Sequence, residues 1–300
     1  MHMNDALVTP VVAGVAGIIS VAMLIIASRK VRHLDNPQII PLMGVMGAFI
    51  FVAQMINFAI PGTGSSGHII GAVLLSVILG EWAGFITISS VLIIQCLLFA
   101  DGGLLALGCN IFNMGVIPCL IAYPALFRPF VNFPASFTRL TTYSIITCVV
   151  SLLLGAIAVT IETTLSGITA LPIDKFLMFM LPIHFIIGIC EGIATALALF
   201  YIQKAQPALL DSKREHSSSQ FGVGVLILTL VIGIVAGYIA SPLPDGLEWS
   251  IINTYGDEIS APINDVAPLP DYSHSLSGLL GSIAIIAIIY VLGKIINRNP

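Results

Sequence analysis

Uncharged apolar runs recur along the chain from Pro10 to Ile296, separated by short polar stretches. A bilayer core about 30 Å thick needs about 20 apolar residues per helix. The pattern therefore predicts membrane segments at roughly 11–28, 39–60, 68–80, 83–100, 104–126, 140–160, 174–202, 221–240 and 276–296. The third is too short to span comfortably and begins in the Gly-rich stretch Pro61–Gly67, so it is expected to be partly re-entrant. Such backbone is tolerated only where protein covers it or where it lines a cavity. The expected fold is all-α: a polytopic membrane helix bundle of about seven core helices plus a C-terminal pair.

The one polar linker between helices, residues 203–220, divides the chain into a membrane domain at 1–202 and a two-helix domain at 221–300. Between its helices the second domain holds an outer loop, 241–275, with Asp245, Glu248, Asp257, Glu258, Asp265 and Asp271 and no Lys or Arg. Such a loop is either simply solvated or a surface that gathers and hands over cations.

Charge orients the pattern. If the N-terminus lies outside and each segment crosses once, Arg29, Lys30, Arg32, Arg128, Arg139, Lys204, Lys213, Arg214, Lys294 and Arg298 fall inside, and Lys175 alone falls outside. That agrees with the positive-inside bias and supports nine crossings, with a cytoplasmic C-terminus in the cell membrane. The first segment carries Asp5 before it and its basic residues after it, the reverse of a signal peptide, and is expected to stay.

Composition sharpens this. Hydrophobic residues make up 57% of the 300 and charged residues 9%, against about 25% charged in soluble domains. The net charge of -4 offers no basic stripe for phosphates, so nucleic acid is excluded as a partner. Cys96, Cys109, Cys119, Cys148 and Cys190 sit in apolar runs without CxxC spacing and read as small packing residues.

The chemistry begins at Met1-His2. A free terminal amine, the amide nitrogen of residue 2 and its imidazole can close fused five- and six-membered chelate rings. Planar nitrogen ligation of this kind suits Ni(II) or Cu(II). The ion must displace protons, so binding should weaken in acid. His68 follows Gly62-Thr-Gly-Ser-Ser-Gly67 on the same side as the N-terminus. It offers a fourth nitrogen, or else simply bonds loop carbonyls at a helix start. Asn110 and Asn113, at i,i+3, suit interhelical hydrogen bonds or the orientation of a metal-binding segment. His184, Gly188 and Glu191 share one helix face, and ionisable groups there should face protein or water. They serve a structural bond or a role in transport or docking. No GK[ST] follows the Gly-rich stretch, so no ATP site is expected in this chain. Two other classes compete: an intramembrane hydrolase using Ser65 or Ser66 with His68 or His184, and a self-sufficient permease or channel. The first lacks a nucleophile-elbow context, and the second lacks a visible inverted repeat.

Several blocks together resemble one family. Met1-His2 with Asp5, Asn57-Phe58 through Gly67-His68-Ile-Ile-Gly71, Gly80-Glu-Trp82, Gln95, Phe99-Ala-Asp-Gly-Gly103, Gly108-Cys-Asn-Ile-Phe-Asn-Met-Gly115 and His184 through Glu191-Gly192 resemble the CbiM/NikM family. Its members are the substrate-capture (S) components of nickel and cobalt energy-coupling-factor transporters. The tail, with Pro244-Asp-Gly-Leu-Glu-Trp249, is similar to the CbiN/NikN-type companion protein fused to the end. The resemblance implies a non-enzymatic transport subunit. It implies Ni2+ or Co2+ as transported substrate, with nickel favoured, and the Met1 amine, the His2 amide and imidazole and the His68 imidazole as ligands. Asp5, Thr63, Ser66, Asn110 and Asn113 would orient those ligands, and His184 and Glu191 are candidates for gating. A transmembrane coupling (T) subunit and a cytoplasmic ATPase pair are the implied partners, beside membrane lipid.

Overall fold

The computed structural model describes residues 1–34, 36, 38–210, 219–257, 259, 267–269 and 275–298. The expectations placed on Lys213, Arg214, Glu258, Asp265 and Asp271, and on residues 211–218 of the linker, lie outside the described residues.

Seven helices precede the linker: α1 (Pro10–Arg32), α2 (Ile39–Gln54), α3 (Ala72–Leu79), α4 (Glu81–Phe99), α5 (Leu107–Phe127), α6 (Phe137–Ser166) and α7 (Ile173–Ala205). After it come α8 (Ser219–Ile239), α9 (Gly246–Tyr255) and α10 (Ser275–Arg298). Helices α1, α4, α5, α6, α7 and Ser277–Ile295 of α10 are each long and apolar enough to cross a membrane, and α2 and Gly222–Ala236 of α8 are shorter apolar stretches. The protein is a multi-pass membrane helix bundle, as its hydrophobic runs predict.

Local chemistry sets the element ends. Helix α1 starts on Pro10, where a missing N–H is harmless, and ends among Arg29, Lys30 and Arg32, whose charges suit the carbonyl end. Pro118 and Pro124 interrupt the α-helical ladder of α5. Its Phe112–Phe127 stretch therefore winds in wider turns, ending with the Arg128 N–H on the Tyr123 carbonyl, five residues back, at 3.0 Å. Glycines at 188 and 192 bring α7 against the backbone of α6 at Val149 and Ile145.

Within the segment expected at 68–80 the helix is Ala72–Leu79, α3, which rises about 12 Å and is too short to span a bilayer core by itself, as expected. Gly71 at φ 75° and Gly80 at φ 83° bracket it, and both conformations stop an α-helix. Residues 68–71 stay non-helical, inside the bundle, with the Ile70 N–H and carbonyl and the Gly71 N–H bonded to side chains rather than to a ladder. Two further features go beyond the expected pattern of segments. Phe58–Ile60 (β1) and Ser65–Gly67 (β2) form an antiparallel hairpin with Phe58 opposite Gly67. The acidic outer loop contains α9, opened by a capping box in which Asp245 accepts from Leu247 and Glu248 N–H while Glu248 accepts from the Asp245 N–H.

The tail pair lies directly on the bundle: α10 packs Ile285 and Ile289 against Gly47 of α2, and its Gly281 sits under Phe51. Cross-links between elements then sort the helix ends into two faces. Thr9 N–H bonds Ser166 Oγ at 3.0 Å, joining the start of α1 to the end of α6. At the opposite face Arg128 meets Glu81 at 2.8 Å, and Gln203 brackets Ala135 with bonds of 2.6 and 3.0 Å. Arg29 and Arg32 share a cavity there with Leu292 and Ile295, which puts the end of α10 on the same side.

Candidate metal centre

The first eight residues fold back into the bundle, with Met1, Met3, Leu7 and Val8 buried. Asn110, in the first turn of α5, treats Met3 as a sheet partner would: its Oδ1 accepts the Met3 N–H at 2.8 Å, and its Nδ2 donates to the Met3 carbonyl at 3.1 Å. The Gly103 N–H adds a third bond to that carbonyl, at 2.9 Å. A side chain at 103 would strike Asp5, so only glycine lets the two segments lie this close. Asp5 Oδ1 accepts the Ala106 N–H at 3.0 Å at the head of α5, where a carboxylate is favoured. Asn113 lies behind, donating to Glu162 at 2.8 Å and standing 3.8 Å from the Met3 sulfur.

This anchoring delivers His2 to His68. The two rings stack at 5.4 Å between centroids, 23° from parallel. They line a cavity of about 390 Å³ together with Gln54, Asp101, Asp245 and Glu248. The lone pairs of stacked imidazoles do not converge, so sharing one ion requires a ring rotation. His2 Nε2 lies 3.2 Å from Gln95 Oε1 and its Nδ1 3.6 Å from Asp101 Oδ1. Burial lowers the pKa of His2, and it lowers that of His68 further, helped by the terminal charge and by His2 itself. Both imidazoles are thus kept neutral, the form that ligates.

The Met1 ammonium donates to Asp245 Oδ2 at 2.7 Å. Burial alone would raise the Asp245 pKa, but the adjacent ammonium and the α9 N–H groups carry it below the usual carboxylate range. Asp245 thereby joins the tail to the start of the chain. Asn4 extends the join, donating to the Ile259 carbonyl at 2.8 Å.

Among the residues expected to orient ligands, Asp5 and Asn110 hold the N-terminal segment and Asn113 reaches Met3, whereas Thr63 and Ser66 bind the tail. Ser66 Oγ donates to the Leu243 carbonyl at 2.7 Å, its N–H bonds the Pro244 carbonyl at 2.8 Å, and the Thr63 carbonyl accepts from Trp249 Nε1 at 2.9 Å. His184 and Glu191, expected on one face, serve different neighbours. His184 Nδ1 bonds the Met180 carbonyl at 2.8 Å beneath Gly246. Glu191 accepts the Ile70 and Gly71 N–H groups at 3.1 and 2.9 Å, just past His68. Sequence reasoning passed over Gln54 and counted Asp245 only among the acidic residues of the outer loop. A lone amide inside an apolar run and an Asp-x-x-Glu capping signature were the available signals.

Among the described residues no three His, Cys, Asp or Glu side chains gather closely enough to hold an ion. The N-terminal segment brings main-chain and terminal nitrogens beside His68.

Apolar helices long enough to cross the membrane, around a polar, imidazole-lined cavity at one face, define a class: a multi-pass membrane protein with a buried polar cavity. The chain belongs to the CbiM family, whose model, described as cobalt uptake substrate-specific transmembrane region, matches residues 2–209. A PDGLE domain matches residues 219–298. A chain from Archaeoglobus fulgidus named as a fused nickel transport protein, NikMN, is 32% identical over 243 residues, spanning 81% of this chain and 76% of that one. The fused nickel transport protein NikMN of Rhodobacter capsulatus is 29% identical over 257 residues, 79% of this chain and 73% of that one. A crystal structure of a truncated transition metal transporter superposes with a TM-score of 0.59 at 30% identity, covering 68% of this chain and 99% of that chain.

Proposed function

We propose that this chain is the substrate-capture subunit of an ATP-driven energy-coupling-factor transporter, binding a divalent transition metal ion through the Met1 amine, the His2 amide and imidazole, and the His68 imidazole. The observation that carries the reading is the meeting of His2 and His68, from segments 66 residues apart, in one cavity beside the terminal nitrogens. The ion arrives at the site face, taken as the outside, and sheds water as the rings turn and the amine leaves Asp245. Asp101, Asp245 and Glu248 give the cavity mouth a negative field that concentrates cations. Nickel is favoured over cobalt, since the relatives sharing the fused tail are named for nickel.

Metal release in this account needs a movement that parts His68 from the N-terminus. That work falls to a membrane coupling subunit and a cytoplasmic ATPase pair acting at the basic face. The boundaries 1–202, 203–220 and 221–300 divide a metal-binding region from a tail that closes over it.

His2→Ala and His68→Ala should each abolish nickel binding by purified protein in equilibrium dialysis while leaving thermal unfolding near that of the parent. An uncleaved extension before Met1 should do the same, because it removes the amine. Normal nickel binding by both His variants would overturn the assignment.

A further inference from the structure

The proposed ligand atom of His2 must be Nδ1. The amide nitrogen, Cα, Cβ, Cγ and Nδ1 close a six-membered ring on an ion, and Nε2 lies too far round the imidazole to do so. A proton on Nδ1 would therefore block the chelate, and a neutral imidazole carries its one proton on either nitrogen. Which tautomer His2 adopts is decided by what faces Nε2.

A chain of buried amides supplies that. The Ile70 carbonyl can only accept, so the Gln54 end facing it at 2.7 Å is the NH2 group. Gln54 then turns its carbonyl toward Gln95, and the Gln95 end at 2.6 Å must also be NH2. Gln95 is left presenting its carbonyl to His2 Nε2 at 3.2 Å, an atom that must carry a proton to bond it. Gln54 and Gln95 are both buried, so a reversed amide would face carbonyl oxygen against carbonyl oxygen without water to relieve it. The starting point is itself fixed: Glu191 takes the N–H groups of Ile70 and Gly71, and Gly71 sits in a left-handed conformation that only glycine adopts easily. Asp101 is the competing acceptor, but it stands 3.6 Å from Nδ1, beyond a hydrogen bond.

We propose that Gln54 and Gln95 form a polarised relay that holds His2 as the Nε2–H tautomer and so keeps the Nδ1 lone pair free for the incoming ion. The inference rests on the reading of His2 as a ligand. It makes Gln95 and Gln54 positioning residues that never touch the metal. Because the relay starts at Ile70, two residues beyond His68, it also ties the tautomer of one imidazole ligand to the seating of the loop that carries the other. A shift of that loop in the transport cycle would loosen both ligands together.

The test uses the purified full chain labelled with 15N-histidine, with His2 assigned by its loss in His2→Ala. In the metal-free parent, long-range 1H–15N correlations should show His2 protonated at Nε2. Gln95→Leu should scramble the tautomer and weaken Ni2+ binding about 10- to 100-fold, the range for partners that orient metal ligands. Should Gln95→Leu fail to fold, Gln54→Leu frees Gln95 to rotate and should give mixed tautomers with a smaller loss. His2 protonated at Nδ1 in the parent, or unchanged Ni2+ affinity in a folded Gln95→Leu or Gln54→Leu protein, would overturn the relay while leaving His2 a ligand. Unchanged binding by His2→Ala would instead remove the ligand assignment on which the relay depends.

Discussion

Asp245 has two oxygens with two separate tasks: Oδ1 caps α9 and Oδ2 holds the Met1 ammonium. The second contact stabilises only the metal-free protein, because an ion that takes the amine lone pair must break it. Asparagine keeps the cap, being as good there as aspartate, and loses the charge. Asp245→Asn should therefore tighten nickel binding, on the order of tenfold for one charge-assisted hydrogen bond of about 1.5–3 kcal/mol, in competition with a chromophoric chelator. The imidazoles set the response to acid. Burial lowers the pKa of both His2 and His68 below that of free imidazole, so below about pH 6.5 the undocked segment binds more protons than the docked one. Docking should weaken as pH falls through that value and gain nothing above it. Proteolysis of the metal-free N-terminal segment at pH 7.5 and 5.5 reads this directly, with faster cleavage expected at the lower pH.

Three non-helical or short pieces carry the site: the N-terminal segment, the 58–67 hairpin and α9. Their mutual fit depends on close backbone approach, which makes Gly103 the sensitive position. Gly103→Ala should push Asp5 and Met3 away from the head of α5, cutting metal binding nearly as far as loss of His2 while the long helices keep their circular dichroism. The bundle helices were legible in the chain because 20-residue apolar runs have no other economical structure in a bilayer. These smaller pieces were not. Three-residue strands show no periodicity, and the tail carbonyls that bond the buried Ser65 and Ser66 come from far along the chain. The shortening of α3 is set by Gly71 and by Glu191, 120 residues away, and no local pattern records that contact. His2 and His68 stood out as residue types, whereas their meeting, and the Gln54–Gln95 link between their neighbourhoods, exist only once the helices pack.

Across the whole molecule the two ends differ in charge. Arg29, Lys30, Arg32, Arg128, Arg139, Lys204 and Lys294 gather at the face opposite the site, and among the described residues Lys175, at the start of α7, is the one Lys or Arg at the site face. With the basic face cytoplasmic, a cysteine replacing exposed Asn253 of α9 should react with an impermeant maleimide added to intact cells, and one replacing Lys204 should react only after lysis. In the proposed orientation the cavity opens to the outside and the basic face is left for coupling partners. In the proposed centre the chain's own first two residues and His68 grip one ion. X-ray absorption at the nickel edge of the purified, loaded protein tests it most directly. A four-coordinate shell of light nitrogen scatterers with two imidazoles is expected, reduced to one in any metal retained by His68→Ala. A six-coordinate, oxygen-rich shell without imidazole scattering would contradict it.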